Sequence, residues 1–263
     1  ITDLSGVIYK PFDFDSTKLY PIIEYGYPGP QVESTDYFWT SRMNRIDRLA
    51  QLGFIVVTVG HRGGHPDRSK WYHNFGYGDM RDYPMADHKY VLQQLAAQRR
   101  YMDINKVGIH GHSGGGFMST AAILTYPDFY KAAVSCAGNH DNSIYNRWWS
   151  ETHHGVKEVV SEKGDTTFNY SIEANQDFVK NLKGHLLLVH GDMDDNVHPA
   201  NTIRVVDALI RANKRFEMLY LPGQRHGFGD MDEYFFWKMA DFFSRWLIGD
   251  CEDSVDIRQM NNN

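Results

Sequence analysis

The chain contains only two cysteines, Cys136 and Cys251, which excludes the disulfide framework that holds many small secreted domains together. It also lacks any apolar run near the roughly 20 residues that a membrane-spanning helix needs. Its longest apolar stretches, such as 54–59 and 186–189, have the length of strands. Hydrophobic residues nevertheless make up 42% of the 263 positions, so we expect a fold held together by a sizeable core.

An excess of basic residues is missing as well. The chain has 27 basic against 33 acidic residues and no basic stripe, so nucleic acid is not an expected partner. None of the 13 histidines lies in a metal-binding pattern of the H-E-x-x-H kind, so no catalytic metal is expected. Because the chain opens with Ile1 rather than Met, we expect a piece of something longer, whose compartment is unknown.

What the chain does have is a regular alternation of strand-like and helix-like segments. Segment 54–59 is almost wholly apolar and β-branched, which is typical of a strand buried on both faces. Strands are predicted at 4–10, 20–25, 54–59, 107–110, 132–136, 186–190 and 216–221, and helices at 37–52, 84–98, 115–124, 200–213 and 232–247. A loop at 60–81 and an aromatic-rich stretch at 139–167 interrupt the order. The pattern predicts an α/β fold whose mostly parallel sheet carries its active site at the carboxyl ends of the strands.

A candidate nucleophile lies between a predicted strand and a predicted helix. Residues 111–116 read GHSGGG and contain the G-x-S-x-G pattern in this required context. Ser113 would sit on a strained turn with its hydroxyl exposed above the sheet, and the N–H of Gly114 would face a developing oxyanion. The alternatives are a plain glycine-rich turn or a phosphate loop, and the latter needs a Lys that is absent. We therefore interpret Ser113 as the nucleophile.

A serine hydroxyl needs a base, and the base needs a group that orients it. In this fold the acid and the histidine follow the serine in that order. The predicted strand 186–190 leads to two candidate acids, Asp194 and Asp195, and the residue pattern alone does not choose between them. Asp192 or Asp195 could instead cap the helix that follows. His226, in a glycine-flanked loop after the last predicted strand, is the candidate base.

At these motifs the chain resembles the prolyl oligopeptidase family of serine peptidases, specifically its dipeptidyl-peptidase-IV-like branch. The likeness runs from about residue 7 to residue 247 and includes the serine motif, His226 with its following glycine, and residues 190–198, which read HGDMDDNVH. The first aspartate of the pair is catalytic in that family. The resemblance therefore implies an α/β-hydrolase fold with the triad Ser113, Asp194 and His226.

The resemblance also implies a substrate site. The segment EYGYPGP resembles the loop whose tyrosine hydroxyl completes the oxyanion hole, and Tyr27 is the matching position, although a structural tyrosine is the alternative. Tyr145, Trp149 and Val197 match the pocket for the residue before the scissile bond, often Pro or Ala. The aromatic pair could also be local core, and Trp149 stands where the peptidases commonly have Tyr. Asn196 matches a residue that binds the substrate carbonyl.

From the same resemblance we expect residues 1–250 to be a catalytic domain, followed by a C-terminal tail at 251–263. The parent would carry an N-terminal β-propeller that caps the site, and a homodimer is one assembly that the family allows. The expected substrate is a short peptide, with release of dipeptides after Pro or Ala, and no cofactor is expected because the triad supplies the chemistry. A carboxylesterase and a non-catalytic binding protein on the same fold are the alternatives.

Overall fold

Strands and helices alternate through most of the chain, as the sequence predicts. The computed structural model describes residues 2–28, 33, 45–78, 81, 83–169 and 173–249. The strands of this part are β1 (Gly6–Tyr9), β2 (Tyr20–Tyr25), β3 (Ile55–Val59), β4 (Met102–His112), β5 (Tyr130–Cys136), β6 (Lys157–Val160), β7 (Thr166–Asn169), β8 (His185–Gly191) and β9 (Glu217–Leu221). The helices are α1 (Arg45–Gln51), α2 (Lys70–His73), α3 (Met85–Gln98), α4 (Gly114–Thr125), α5 (Arg147–His154), α6 (Ala200–Arg211) and α7 (Asp232–Phe243).

Seven strands form one sheet in the order β1-β3-β2-β4-β5-β8-β9. Only β1 runs antiparallel to its neighbour, and every other pair of the sheet is parallel. The predicted α/β-hydrolase fold with a mostly parallel sheet is thus confirmed. Because parallel strands end at the same edge, the loops after β2, β4, β8 and β9 share one rim, and all the predicted catalytic residues lie in or next to these loops.

Helices cover both faces of the sheet. Successive side chains of β3 alternate between the faces: Val57 joins one core cluster and Val56 the other. The first cluster includes side chains of α3, α4 and α6, among them Leu92, Met118 and Leu209. The second includes side chains of α1 and α7, among them Leu49, Phe236 and Met239. In the part of the chain described here, no helix is long and apolar enough to cross a bilayer.

The two predicted interruptions contain regular structure of their own. The loop predicted over 60–81 is wrong at α2, which forms because the hydroxyl of Ser69 accepts a hydrogen bond from the N–H of Tyr72 at 3.1 Å. In the stretch 139–167, Asn146 caps α5 in the same way, and the two-stranded sheet β6–β7 follows. The first part of the predicted helix 37–52 and the predicted tail lie outside the described residues, and α1 accounts for the rest.

Candidate active site

Ser113 occupies a strained turn between β4 and α4. Its backbone has φ 60° and ψ −122°, a positive-φ conformation that residues other than glycine rarely adopt. Hydrogen bonds on both sides hold this conformation: the N–H of Ser113 donates to Cys136 O at 2.8 Å, and its carbonyl accepts from the N–H of Phe117 at 3.0 Å. The central strands of the sheet therefore keep the hydroxyl at the rim in a geometry typical of a nucleophile elbow.

The glycines around Ser113 are required by close backbone contacts. A Cβ on Gly111 or Gly115 would lie 2.4 or 2.3 Å from the carbonyl oxygen of Gly26. A Cβ on Gly116 would lie 2.2 Å from the carbonyl oxygen of Cys136. Only glycine lets the elbow pack against the segment after β2 and against the end of β5, so the repeated glycines of the sequence motif have a steric cause.

Asp194 is buried and its carboxylate is fully hydrogen bonded. Oδ1 accepts from the N–H groups of Asn196 and Val197, both at 2.9 Å. Oδ2 accepts from His226 Nδ1 at 2.8 Å and lies 3.1 Å from His190 Nε2. Burial alone would raise the pKa of Asp194, but the hydrogen bonds from His190, His226 and the Val197 N–H outweigh it and hold the pKa well below its ordinary value. The side chain is therefore an anion at neutral pH.

His190 is a partner of Asp194 that the sequence analysis does not assign. Its ring is fully buried, and Nε2 lies 2.9 Å from the carbonyl oxygen of Val197 as well as near the carboxylate. Since Nε2 faces two acceptors it carries the proton, and Nδ1 then accepts from the hydroxyl of Thr202 at 2.7 Å. His190 thus orients the acid. We call residues 192–199, which carry Asp194, the acid loop. The position of His190 near the end of β8, two residues before this loop, is the signal that could have indicated its contact with Asp194.

His226 is held with one ring nitrogen toward Asp194. Because the carboxylate accepts from Nδ1, Nε2 is the ring nitrogen left for another partner. The ring packs edge-on, at 4.9 Å between centroids, against His112, the residue before Ser113. Within the described residues, the hydrogen bonds join His226 to Asp194 and Ser113 to Tyr27, and none joins His226 to Ser113 directly. Catalytic hydrogen bonds of this kind often tighten only when substrate binds.

The other two aspartates of the loop have different partners. The exposed side chain of Asp195 pairs with Arg225, and Asp192 Oδ1 accepts from the N–H of Gly223 at 2.6 Å. His198 Nδ1 accepts from the N–H of Ala200 at 3.1 Å at the start of α6, and neither Asp192 nor Asp195 does so, so the capping role considered for these two aspartates is wrong. Both instead tie the acid loop to the loop that carries His226. Of these three aspartates, Asp194 is the one hydrogen bonded to His226.

Tyr27 lies against the elbow from the β2 side. Its side chain is hydrogen bonded to that of Ser113, and burial raises the pKa of the phenol. The hydroxyl therefore stays protonated and can donate at neutral pH. A Cβ on Gly114 would lie 3.5 Å from the Tyr27 ring, which shows how closely the ring approaches the first residue of α4. The N–H of Gly114, the first residue of α4, has no partner within the helix.

The predicted pocket residues also come together. The hydroxyl of Tyr145 donates to Asn196 Oδ1 at 3.0 Å, which joins the segment before α5 to the acid loop. The rings of Tyr145 and Trp149 meet edge-on at 5.5 Å between centroids. Val197 is buried. Its N–H donates to Asp194 Oδ1, and its carbonyl oxygen accepts from His190 Nε2. An aromatic surface thus lies next to the carboxylate–imidazole pair.

A serine on a strained strand–helix turn, with a buried carboxylate–imidazole pair on neighbouring loops of a parallel sheet, defines the class of the α/β-hydrolases. The family model of the prolyl oligopeptidase family matches residues 39–250. The chain belongs to this family. Tyr27 lies before the matched residues, so its assignment depends on its contacts.

The chain is similar to several peptidases. It is 32% identical to dipeptidyl peptidase 8 of Homo sapiens over 224 residues, which are 85% of this chain and 24% of that protein. It is 28% identical to dipeptidyl peptidase 4 of Trichophyton rubrum over 238 residues, 87% of this chain and 29% of that protein. The crystal structure of Porphyromonas gingivalis dipeptidyl peptidase 4 superposes with a TM-score of 0.81 at 26% identity, covering 93% of this chain and 34% of that one. The chain thus spans about a quarter to a third of these proteins.

Proposed function

We propose that this chain is the catalytic part of a serine peptidase that cleaves peptides through an acyl-enzyme. The observation that carries the proposal is the hydrogen bond between Asp194 and His226 beside an elbow whose Ser113 side chain already contacts Tyr27. Membership of the prolyl oligopeptidase family supports it. The named relatives, which are dipeptidyl peptidases, support peptides as the substrate class.

In the proposed reaction, Ser113 Oγ attacks the peptide carbonyl carbon while Nε2 of His226 takes the hydroxyl proton. Asp194, kept anionic by its hydrogen bonds, stabilises the imidazolium that forms. The Gly114 N–H and the Tyr27 O–H donate to the oxyanion. When the C–N bond breaks, the imidazolium gives its proton to the leaving amine. Water then attacks the acyl-enzyme with His226 again as base, and the hydroxyl of Ser113 is restored.

The pocket next to the triad would select the residue before the scissile bond. Tyr145 and Trp149 offer an aromatic wall, whereas Val197 has 0% exposure and would support the site from within rather than touch the substrate. Because Asn196 Oδ1 accepts from Tyr145, the amide N–H₂ of Asn196 is left to donate to a substrate carbonyl. Such a site suits a small or cyclic side chain, so we propose cleavage after Pro or Ala with release of dipeptides.

We also propose how the chain is used in its parent. Residues 1–250 would form one catalytic domain with a short tail at 251–263, capped by an upstream β-propeller and paired as a homodimer. The small share of the similar peptidases that the chain spans is what supports a larger parent.

A paired assay tests the proposed function. The protein is given a dipeptide anilide with Pro before the anilide, and separately a short acyl ester, with Ser113→Ala as the control in both. We expect the anilide to be hydrolysed by wild type only. Turnover of the ester without turnover of the anilide would make the chain a carboxylesterase, and no turnover of either would favour a non-catalytic protein on the same fold.

A further inference from the structure

Beside the Tyr27 loop lies a line of buried polar side chains that the proposed reaction does not use. Glu24 is on β2, His88 is on α3, and His61 follows β3; all three have 0% exposure. We call these three residues the buried relay. Groups of this kind are costly to bury unless they are fully hydrogen bonded, so their partners show what the relay does.

Hydrogen bonds connect the buried relay from end to end. The hydroxyl of Tyr130 donates to Glu24 Oε2 at 2.8 Å, and Glu24 Oε1 is hydrogen bonded to His88 Nδ1. His88 Nε2 lies 2.9 Å from His61 Nδ1. His61 Nε2 lies 2.7 Å from the carbonyl oxygen of Pro28. The relay therefore starts at a buried carboxylate and ends on the backbone one residue after Tyr27.

The direction of these hydrogen bonds follows from the last acceptor. The carbonyl of Pro28 can only accept, so His61 Nε2 carries a proton. Burial, with the neighbouring His88, lowers the pKa of His61 to about 3, so its ring is neutral and Nδ1 accepts. His88 Nε2 must then donate, and one more proton is shared between His88 Nδ1 and Glu24. The Nε2–H donors of both histidines therefore point along the relay toward Pro28.

The Pro28 carbonyl accepts a second hydrogen bond, from the buried hydroxyl of Tyr83. The ring of Tyr83 is itself confined, because a Cβ on Gly63 or Gly76 would lie 2.2 or 2.4 Å from it. Two buried donors from different parts of the chain thus fix the backbone next to Tyr27. On the other side of Tyr27, the N–H of Gly26 donates to the carbonyl oxygen of His110 at 3.0 Å. His110 lies in β4, the strand that ends at the elbow.

An ion pair keeps the two imidazoles aligned. Asp87 and Arg62 are the sequence neighbours of His88 and His61, and Arg62 donates to both carboxylate oxygens of Asp87, with its Nη2 2.6 Å from Oδ1 and its Nε 2.9 Å from Oδ2. The backbone N–H of Arg62 donates to Asp87 Oδ2 as well, at 3.1 Å. This pair fastens α3 to the loop after β3, which is what the contact between His88 and His61 needs.

We propose that the buried relay positions Tyr27 for the oxyanion, so that Glu24, His88 and His61 are positioning residues that act through the Pro28 carbonyl. The inference rests on the proposed function, because Tyr27 has this task only if Ser113 forms an oxyanion intermediate. Tyr27 would meet full negative charge only in the transition state. Loosening the relay should therefore lower kcat and leave KM nearly unchanged.

A double-mutant cycle tests this proposal on the full 263-residue chain. His61→Leu, Tyr27→Phe and the double variant are assayed with the dipeptide anilide, and active sites are counted by titration with a fluorophosphonate. We expect Tyr27→Phe to lower kcat per titrated site by about 100- to 1000-fold. His61→Leu alone should lower it by up to about 100-fold, as a small misplacement of a catalytic group can. In the Tyr27→Phe background, His61→Leu should change kcat by no more than about threefold, because its effect passes through the hydroxyl that is already gone.

Two further variants separate positioning from general damage to the fold. His61→Gln keeps an N–H that can reach the Pro28 carbonyl, so it should recover most of the kcat that His61→Leu loses. Tyr83→Phe removes the other donor to the same carbonyl and should show the same kcat effect and the same dependence on Tyr27. If His61→Leu does not fold, the cycle of Tyr83→Phe with Tyr27→Phe decides.

Additive effects in the cycle would overturn the relay proposal while leaving the proposed function in place. An unchanged kcat per titrated site in His61→Leu would also overturn the relay proposal and leave the proposed function in place. A wild-type chain that neither hydrolyses the anilide nor reacts with the fluorophosphonate would overturn the proposed function, and the relay proposal with it.

Discussion

Two buried carboxylates in this chain each hold a histidine, and the two pairs differ mainly in how far the imidazole is open to solvent. Asp194 accepts from His226, whose side chain is 22% exposed, while Glu24 binds His88, which is 0% exposed. The second nitrogen of His226 is left for a reacting group. The second nitrogen of His88 is already used by His61. We therefore propose that the exposed pair serves proton transfer and the enclosed pair serves positioning, because the two imidazoles differ in exposure.

Removing the hydroxyl of Ser113, the group that the exposed pair is proposed to serve, should have the largest effect. Ser113→Ala should lower kcat for the dipeptide anilide by roughly 10⁶-fold, as removal of a serine nucleophile does elsewhere. The fold should persist, because only the hydroxyl is lost. Steady-state kinetics with circular dichroism of the variant measures both. Activity within about tenfold of wild type would show that the exposed pair works on another group.

Changing the acid of the exposed pair should have the next largest effect. Asp194→Asn should lower kcat by about 10⁴-fold, because the amide no longer holds the imidazole in its reactive tautomer or stabilises its charge. Asp195→Asn is the matched control: this neighbour is exposed and pairs with Arg225, so kcat should stay within about threefold of wild type. Equal losses in the two variants would contradict the role given to Asp194.

Breaking the enclosed pair should show in stability as well as in the kcat loss expected from the relay. Glu24→Leu leaves the imidazole of His88 and the hydroxyl of Tyr130 without their buried acceptor, which should lower the free energy of unfolding by about 3–5 kcal/mol. Urea unfolding at neutral pH measures this. Glu233→Gln, at a half-exposed pair with Arg48, should cost about 1 kcal/mol or less. A small cost at both positions would mean that the enclosed pair does not contribute to stability.

The smallest expected effect is the pH dependence of thermal stability that Asp194 contributes. The pKa of Asp194 lies below its unfolded value of about 3.9, so the ionised carboxylate stabilises the fold above that pH, and the contribution is lost as pH falls toward the folded pKa. The difference in Tm between wild type and Asp194→Asn should therefore change steadily as the pH falls below about 4, where the wild-type carboxylate begins to take up its proton. A difference that stays flat down to about pH 3 would contradict the lowered pKa.

The parts of this account that could be predicted from sequence are those whose cause is local. The elbow was predictable because a strained serine needs glycines beside it, and these occupy adjacent positions. The buried strand β3 was predictable from its apolar, β-branched residues. Local pattern left Asp194 and Asp195 open, because the difference between them is what each touches across the rim: His226 for the first and Arg225 for the second.

The parts that escaped prediction depend on partners far apart in the chain. Glu24 is hydrogen bonded to Tyr130, which lies 106 positions away in the chain, and to His88, which lies 64 positions away. No local sequence pattern indicates either contact. His190 was hidden for another reason, since a histidine at the end of an apolar strand reads as part of the core. The segment α2 was missed because one side-chain cap, at Ser69, is enough to start so short a helix.

Labelling with a fluorophosphonate, followed by mass spectrometry of the digested protein, is the most direct test of the triad. A serine hydroxyl reacts rapidly with this probe when a neighbouring base activates it, and faster still when an oxyanion hole receives the phosphoryl oxygen. We expect one adduct per chain, on Ser113, and labelling that falls by orders of magnitude in His226→Ala. No adduct on Ser113 in folded wild-type protein, or equal labelling with and without the imidazole, would contradict the proposed triad.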